Sequence, residues 1–200
     1  MSHAYVVYGA VRSRTLRVLW ALEELGLAYD LVHAPPRSEA VRALNPAGKV
    51  PVMTVDGTPI TDSVAIVQFL ADRHDGLTHP AGTVERALQD AATQFACDEI
   101  DGPLWLAAKH AFVLPEAERA PAVKAAARAE FARALTTLEA RLGDRPFVTG
   151  ETFTVPDLIL GHCAGWAEAA RFDLPDAGPV ADYLRRLRAR PALARAVARG

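Results

Sequence analysis

The chain has 200 residues, half of them hydrophobic, with 22 Lys and Arg against 24 Asp and Glu and a formal net charge of -2. That length buries one substantial core or two small ones, and the near-neutral balance, with Arg scattered along helical patterns as solvated faces, leaves no basic footprint for nucleic acid or an anionic membrane. No stretch approaches the roughly 20 apolar residues of a membrane span, and Met1-Ser2-His3 leads into an apolar run too short for a signal-peptide core, so a cytoplasmic protein is expected.

Ala4 to Tyr8 is a short apolar, aromatic run closed by Gly9, which predicts a buried strand. From Ser13 to Leu25 the positions Leu16, Leu19, Trp20 and Glu23-Glu24 follow helical spacing, and Gly26 marks the stop. Tyr29 to His33 reads as a second strand, broken by Pro35-Pro36, and a brief helix covers Glu39 to Leu44. Val52 to Val55 and Pro59-Ile60 flank Asp56-Gly57, a hairpin signal, and Ser63 to Asp72 is the next helix. Strand, helix, strand, then helix, hairpin, helix is the order of a thioredoxin-like domain, parallel in its first half and antiparallel in its second. Residues 1–75 are assigned to it. Gly76, Pro80 and Gly82 make 76–83 a linker.

Residues 84–200 are alanine-rich and helical, with long patterns at Val84 to Phe112 and Pro121 to Leu142 and shorter ones after Thr154 and Pro179. The fold class is therefore α+β, an N-terminal thioredoxin-like domain followed by an all-α helical bundle. Thr154-Val155-Pro156-Asp157 reads as a capping box and so as folding apparatus. Cys97 and Cys163 form no C-x-x-C and are expected as reduced core thiols. The six His residues show no metal-ligand spacing, and no metal is expected.

Chemistry concentrates in Asn45-Pro46-Ala47-Gly48-Lys49-Val50-Pro51-Val52 and, eleven residues after Pro51, in Asp62-Ser63-Val64-Ala65-Ile66. A proline cannot donate to a sheet ladder, so Pro51 belongs at the head or edge of a strand. A cis Val50-Pro51 bond there would turn the N–H and C=O of Val50 out of the sheet, where an extended peptide could pair with them as an added strand. Asp62-Ser63 opens a helix, and free N–H groups beside a hydroxyl suit a carboxylate. A short peptide ligand with an acidic terminus is implied.

With Tyr8-Gly9-Ala10-Val11-Arg12-Ser13-Arg14 running into Val18-Leu19-Trp20-Ala21-Leu22-Glu23-Glu24-Leu25-Gly26, with Lys49-Val50-Pro51 and Asp62-Ser63, and with Phe153-Thr154-Val155-Pro156-Asp157 near the end, the chain resembles the cytosolic glutathione transferases over essentially its whole length. The resemblance implies glutathione as co-substrate, a small apolar electrophile as its partner, a role in detoxification and a homodimer. It also implies site roles. Ser13 would donate a hydrogen bond to the glutathione thiolate as the catalytic hydroxyl. Val50, beside Pro51, would pair with the tripeptide backbone. Lys49 would take its glycine carboxylate, Asp62 the γ-glutamyl amino group and Ser63 the γ-glutamyl carboxylate. Ala10-Val11 departs from the hydroxyl-proline pair of many bacterial members, so Tyr8 and Thr15 stay open as the hydroxyl. A serine rather than a cysteine in this turn favours thiolate activation over thiol exchange. Arg12, Arg14 and Arg17, otherwise a solvated face, would add positive potential, and Trp105, Phe112 and Trp166 would line the electrophile pocket or fill the core. Two rival readings share the site: a glutathione-dependent isomerase or dehalogenase, and a non-catalytic binding module of the same fold.

Overall fold

The computed structural model describes residues 5–200; Ala4, the expected first residue of the opening strand, and the Met1-Ser2-His3 lead-in lie outside them. The chain divides into two compact units, one of residues up to Ala81 together with Ala189–Gly200, the other Gly82–Arg188. The division differs from the 1–75, 76–83 and 84–200 read from the sequence in that the last dozen residues pack with the first unit.

The first unit is built on four strands, β1 (Tyr5–Gly9), β2 (Tyr29–His33), β3 (Val52–Val55) and β4 (Thr58–Thr61), in the order β2-β1-β3-β4. β1 pairs parallel with β2 and antiparallel with β3, and β3 pairs antiparallel with β4. All four residues of β3 are buried, as expected of a central apolar strand covered on both faces. β4 is the edge, which is where Pro59 does no harm, since its missing N–H is not needed by a neighbour. Asp56 and Gly57 turn the hairpin with φ of 51° and 81°, the paired positive values of a tight primed turn.

Helices α1 (Thr15–Glu24), α2 (Glu39–Leu44) and α3 (Ser63–Arg73) complete the thioredoxin-like order. Val18, Leu19, Trp20 and Leu22 of α1 and Ile66, Val67 and Leu70 of α3 are buried with Val7 and Met53 of the sheet. Each such side chain contributes about 1.5 to 3 kcal/mol relative to exposure. Arg17 corrects the reading of these arginines as a solvated face: it is 1% exposed. Its guanidinium is tolerated inside because it finds acceptors, one of them the Ser63 hydroxyl.

In the second unit, α4 (Val84–Phe95), α5 (Gly102–Ala108), α6 (Val123–Leu142), α7 (Val155–Ala169) and α8 (Pro179–Arg188) pack around Leu104, Phe131, Leu138, Leu158, Ile159, Tyr183 and Leu187. The single helix expected from Val84 to Phe112 is instead interrupted by a π-helical stretch, Ala96–Asp101, and ends in a second, Lys109–Val113. The capping box forms as read, and its Asp157 does more. Buried, it accepts from Val148 N (2.9 Å), Thr154 N (2.9 Å) and Tyr183 Oη (2.7 Å), tying α7 to its preceding loop and to α8. Burial pushes the Asp157 carboxyl up, against the pull of those donors. Helix α9 (Pro191–Val197) returns to the first unit and lies on α1.

Candidate active site

The sheet register gathers the segments singled out in the sequence. Tyr8 stands opposite Val52, and Val52 opposite Thr61. The turn leaving β1 (Ala10 to Arg14), the Val50-Pro51 entry to β3 and the Asp62-Ser63 exit from β4 therefore all open at one end of the sheet. Pro51 is buried, directly precedes β3, and the Val50-Pro51 peptide is cis.

Ser13 sits half-buried in the turn before α1, which begins at Thr15 with Arg14 in the capping position. The Ser13 hydroxyl still serves the helix start, accepting from Thr15 N at 3.1 Å. Its single proton has two acceptors in reach, Ala10 O at 2.6 Å and Thr15 Oγ1 at 2.9 Å. Thr15 is fully buried and packed on Gly9, where an added Cβ would lie 2.1 Å from Thr15 Oγ1; the strand must end in glycine for the turn to close. Tyr8 packs its ring on the buried cluster of Ala34, Val41 and Val52, alongside Leu44 and Val50. Arg12 is exposed and Arg14 half-buried at the same turn.

Asn45 shapes the loop before Pro51. Its side chain donates to Lys49 O (3.0 Å) and accepts from Ala47 N (3.1 Å), while Arg37 N donates to Gly48 O (2.8 Å). Lys49 is exposed and Val50 half-buried. Asp62 has a φ of 73°, an uncommon backbone for a residue with a side chain, and its Oδ1 accepts from Val64 N (2.9 Å) and Ala65 N (3.3 Å) to cap α3. Both bonds fall on Oδ1, and Asp62 is exposed. Ser63 is 3% exposed and accepts from Arg17 Nη1 at 3.4 Å, a link from α1 to α3.

Residues 13–73 match the glutathione S-transferase N-terminal domain and residues 121–199 the C-terminal domain of the same family. Among solved structures, the theta class glutathione S-transferase of Xanthomonas axonopodis pv. citri with glutathione bound is 31% identical, with a TM-score of 0.77, covering 98% of this chain and 97% of that one. The chain belongs to the glutathione S-transferase family. Curated relatives agree: glutathione S-transferase GstA of Escherichia coli O157:H7 is 28% identical over 74% of this chain and 72% of its own length, and probable glutathione S-transferase GSTU6 of Oryza sativa subsp. japonica 31% identical over 77% and 67%. In this glutathione S-transferase, Arg17 is buried against Ser63, which sets aside the solvated-face alternative for it. The signal available was its setting, a lone cation between Leu16 and Val18-Leu19-Trp20.

Proposed function

We propose that this enzyme binds glutathione across the end of the sheet and activates its thiol through Ser13 for attack on an apolar electrophile. The observation that carries the reading is the register, which brings the Ser13 turn, the Val50-Pro51 entry and the Asp62-Ser63 helix start together although they span fifty residues of chain. Val50 takes the tripeptide backbone as an added strand, Lys49 its glycine carboxylate, Asp62 its amino group through the oxygen not used for capping, and Ser63 its γ-glutamyl carboxylate.

The Ser13 proton decides the chemistry. In the unliganded turn it rests on neutral acceptors, whose bonds are worth about 0.5 to 1.5 kcal/mol, whereas a bond to an anion is worth about 1.5 to 3 kcal/mol. A thiolate placed in reach therefore wins the hydroxyl, and the Thr15 N–H holds the oxygen in place while it turns. Lowering a thiol from about 8.5 by two units requires about 2.7 kcal/mol; exchanging a neutral acceptor for the anion supplies roughly 1 kcal/mol of it, and the positive end of α1 adds about 0.3 to 1 kcal/mol. The thiolate then attacks the electrophilic carbon, displacing its leaving group or adding to it. The apolar partner is taken by the helical unit, which holds a cavity of about 360 Å³ lined by Leu104, Phe112 and Trp166 and edged by Lys124 and Arg171.

A glutathione titration followed by thiolate absorbance tests the reading: bound glutathione should be ionised at neutral pH. Binding with a neutral thiol removes the activation step, and no binding removes the function. We further propose a cytoplasmic homodimer. Two free thiols suit a reducing compartment, and Val84 and Leu88, 73% and 63% exposed one turn apart on α4, give an apolar face for a second copy.

A further inference from the structure

We propose that Asp101, His162 and Cys163 form a binding site for a thiophilic divalent cation of the zinc type within the helical unit. Their ligand atoms all lie within 4.8 Å of one another. The Cys163 thiol donates a hydrogen bond to Asp101 Oδ1 with the heavy atoms 3.6 Å apart, so sulfur and carboxylate already face each other. Arms of about 2.3 Å to sulfur and about 2.1 Å to oxygen, opened at the tetrahedral angle, place the two ligand atoms about 3.6 Å apart. The spacing already present between thiol and carboxylate is thus the spacing a tetrahedral ion would impose.

Charge supports the same ion. Cys163 is fully buried and Asp101 8% exposed. A divalent cation held by one thiolate, one carboxylate and a neutral imidazole makes a complex of zero net charge, the state a buried site tolerates. On coordination the Cys163 S–H bond breaks, its electron pair goes to the metal and its proton to solvent; His162 gives a nitrogen lone pair, and no oxidation state changes. Three protein ligands leave a fourth position for water. Asp101 closes the first π-helical turn, whose wider backbone marks functional positions in many helices. The set escapes any spacing rule in the sequence because sixty residues separate Asp101 from His162-Cys163.

The site is independent of the glutathione chemistry, so the test uses the full chain without glutathione, whose own thiol binds metal. Titration with cobalt(II) should give one equivalent bound, with an intense near-ultraviolet thiolate-to-metal band and visible bands of four-coordinate strength, all abolished by one equivalent of zinc(II). Trp166, whose ring lies 6.3 Å from that of His162, should be quenched in parallel. Cys163→Ser and His162→Gln should each weaken binding at least tenfold, and Cys97→Ser should leave it unchanged. The half-buried His162 position keeps a foldable variant in hand, checked by circular dichroism. Absence of the thiolate band in the unmodified protein, affinity that follows Cys97 rather than Cys163, or His162→Gln binding as tightly as the parent overturns the proposal.

Discussion

At the scale of single residues, each polar group at the sheet end serves both the fold and the proposed chemistry, and the two can be pulled apart by measurement. Ser13→Ala should raise the pKa of bound glutathione by roughly one to two units and cut conjugation at neutral pH roughly ten- to a hundredfold, at 1.36 kcal/mol per unit. Glutathione affinity should hardly move, because the tripeptide's ends are held elsewhere. Tyr8→Phe is the control and should keep activity, its ring being packing for Ala34, Val41 and Val52. The reverse pattern would transfer the hydroxyl role to Tyr8. Asp62→Ala should lose about 0.5 to 2 kcal/mol of folding stability from the α3 cap in addition to weakening glutathione binding. Ser63→Ala should cost about 1 to 3 kcal/mol, since it leaves the buried Arg17 guanidinium short of an acceptor. Calorimetry that finds glutathione affinity unchanged in both variants removes the pair from the site. The turn holding Ser13 and the helix start at Asp62-Ser63 were legible because each is written in neighbouring residues. The burial of Arg17 was not, because the hydroxyl it meets is 46 residues away.

At the scale of elements, α9 is held on α1 by charge as well as packing. Arg190 forks onto Glu24 (2.5 and 2.8 Å), which also accepts from Trp20 Nε1 (2.9 Å). Glu23 accepts from Arg195 (2.9 Å) and Tyr29 Oη (3.0 Å), and Arg199 stacks over the Tyr29 ring at 4.9 Å. Burial pushes Glu23 up, but the hydrogen bonds from Arg195, Tyr29 and Arg199 outweigh it and leave the carboxyl below its ordinary value. A carboxyl lowered in the folded state stabilises the fold above its ordinary pKa of 4.5, and that contribution is lost as pH falls through the lowered value. Tyr29 runs the other way. Burial first, then its bond to Glu23, pushes it up to about 12 from 10.0. Its contribution is complete below pH 10 and lost as pH rises through about 12. Thermal unfolding followed across pH should therefore decline at both extremes, with Glu23→Gln flattening the acid limb and Tyr29→Phe the alkaline one. Helix and strand identities were readable from periodicity and turn residues. The π-helical turns were not, since one extra residue per turn leaves an alanine-rich pattern looking continuous.

At the scale of the whole molecule, the α+β architecture was legible because strands crowd the first 61 residues and the remainder is helical. The allegiance of the last segment was hidden. Helical periodicity places 189–200 on a helix and says nothing of which core receives it, and the Glu23 and Glu24 partners that decide it lie more than 160 residues earlier. Oligomeric state belongs to this scale as well. Light scattering at micromolar concentration should give twice the chain mass of 21.5 kDa, and Leu88→Glu, by charging the exposed apolar face of α4, should shift the protein toward the monomer. A monomer at every accessible concentration removes the dimer.

The return of α9 to α1 also sets an order of events in time. The thioredoxin-like unit is made first and finished last, for the 107 residues of Gly82–Arg188 must be synthesised before its closing helix exists. At ~5–20 residues per second that is a wait of roughly 5 to 20 s, during which Glu23 and Glu24 lack their arginines and one face of α1 is uncovered. A ribosome-bound chain halted before residue 189 should be cut readily by protease in its first unit. Release of the 200-residue chain should confer resistance within the time the last helix takes to dock.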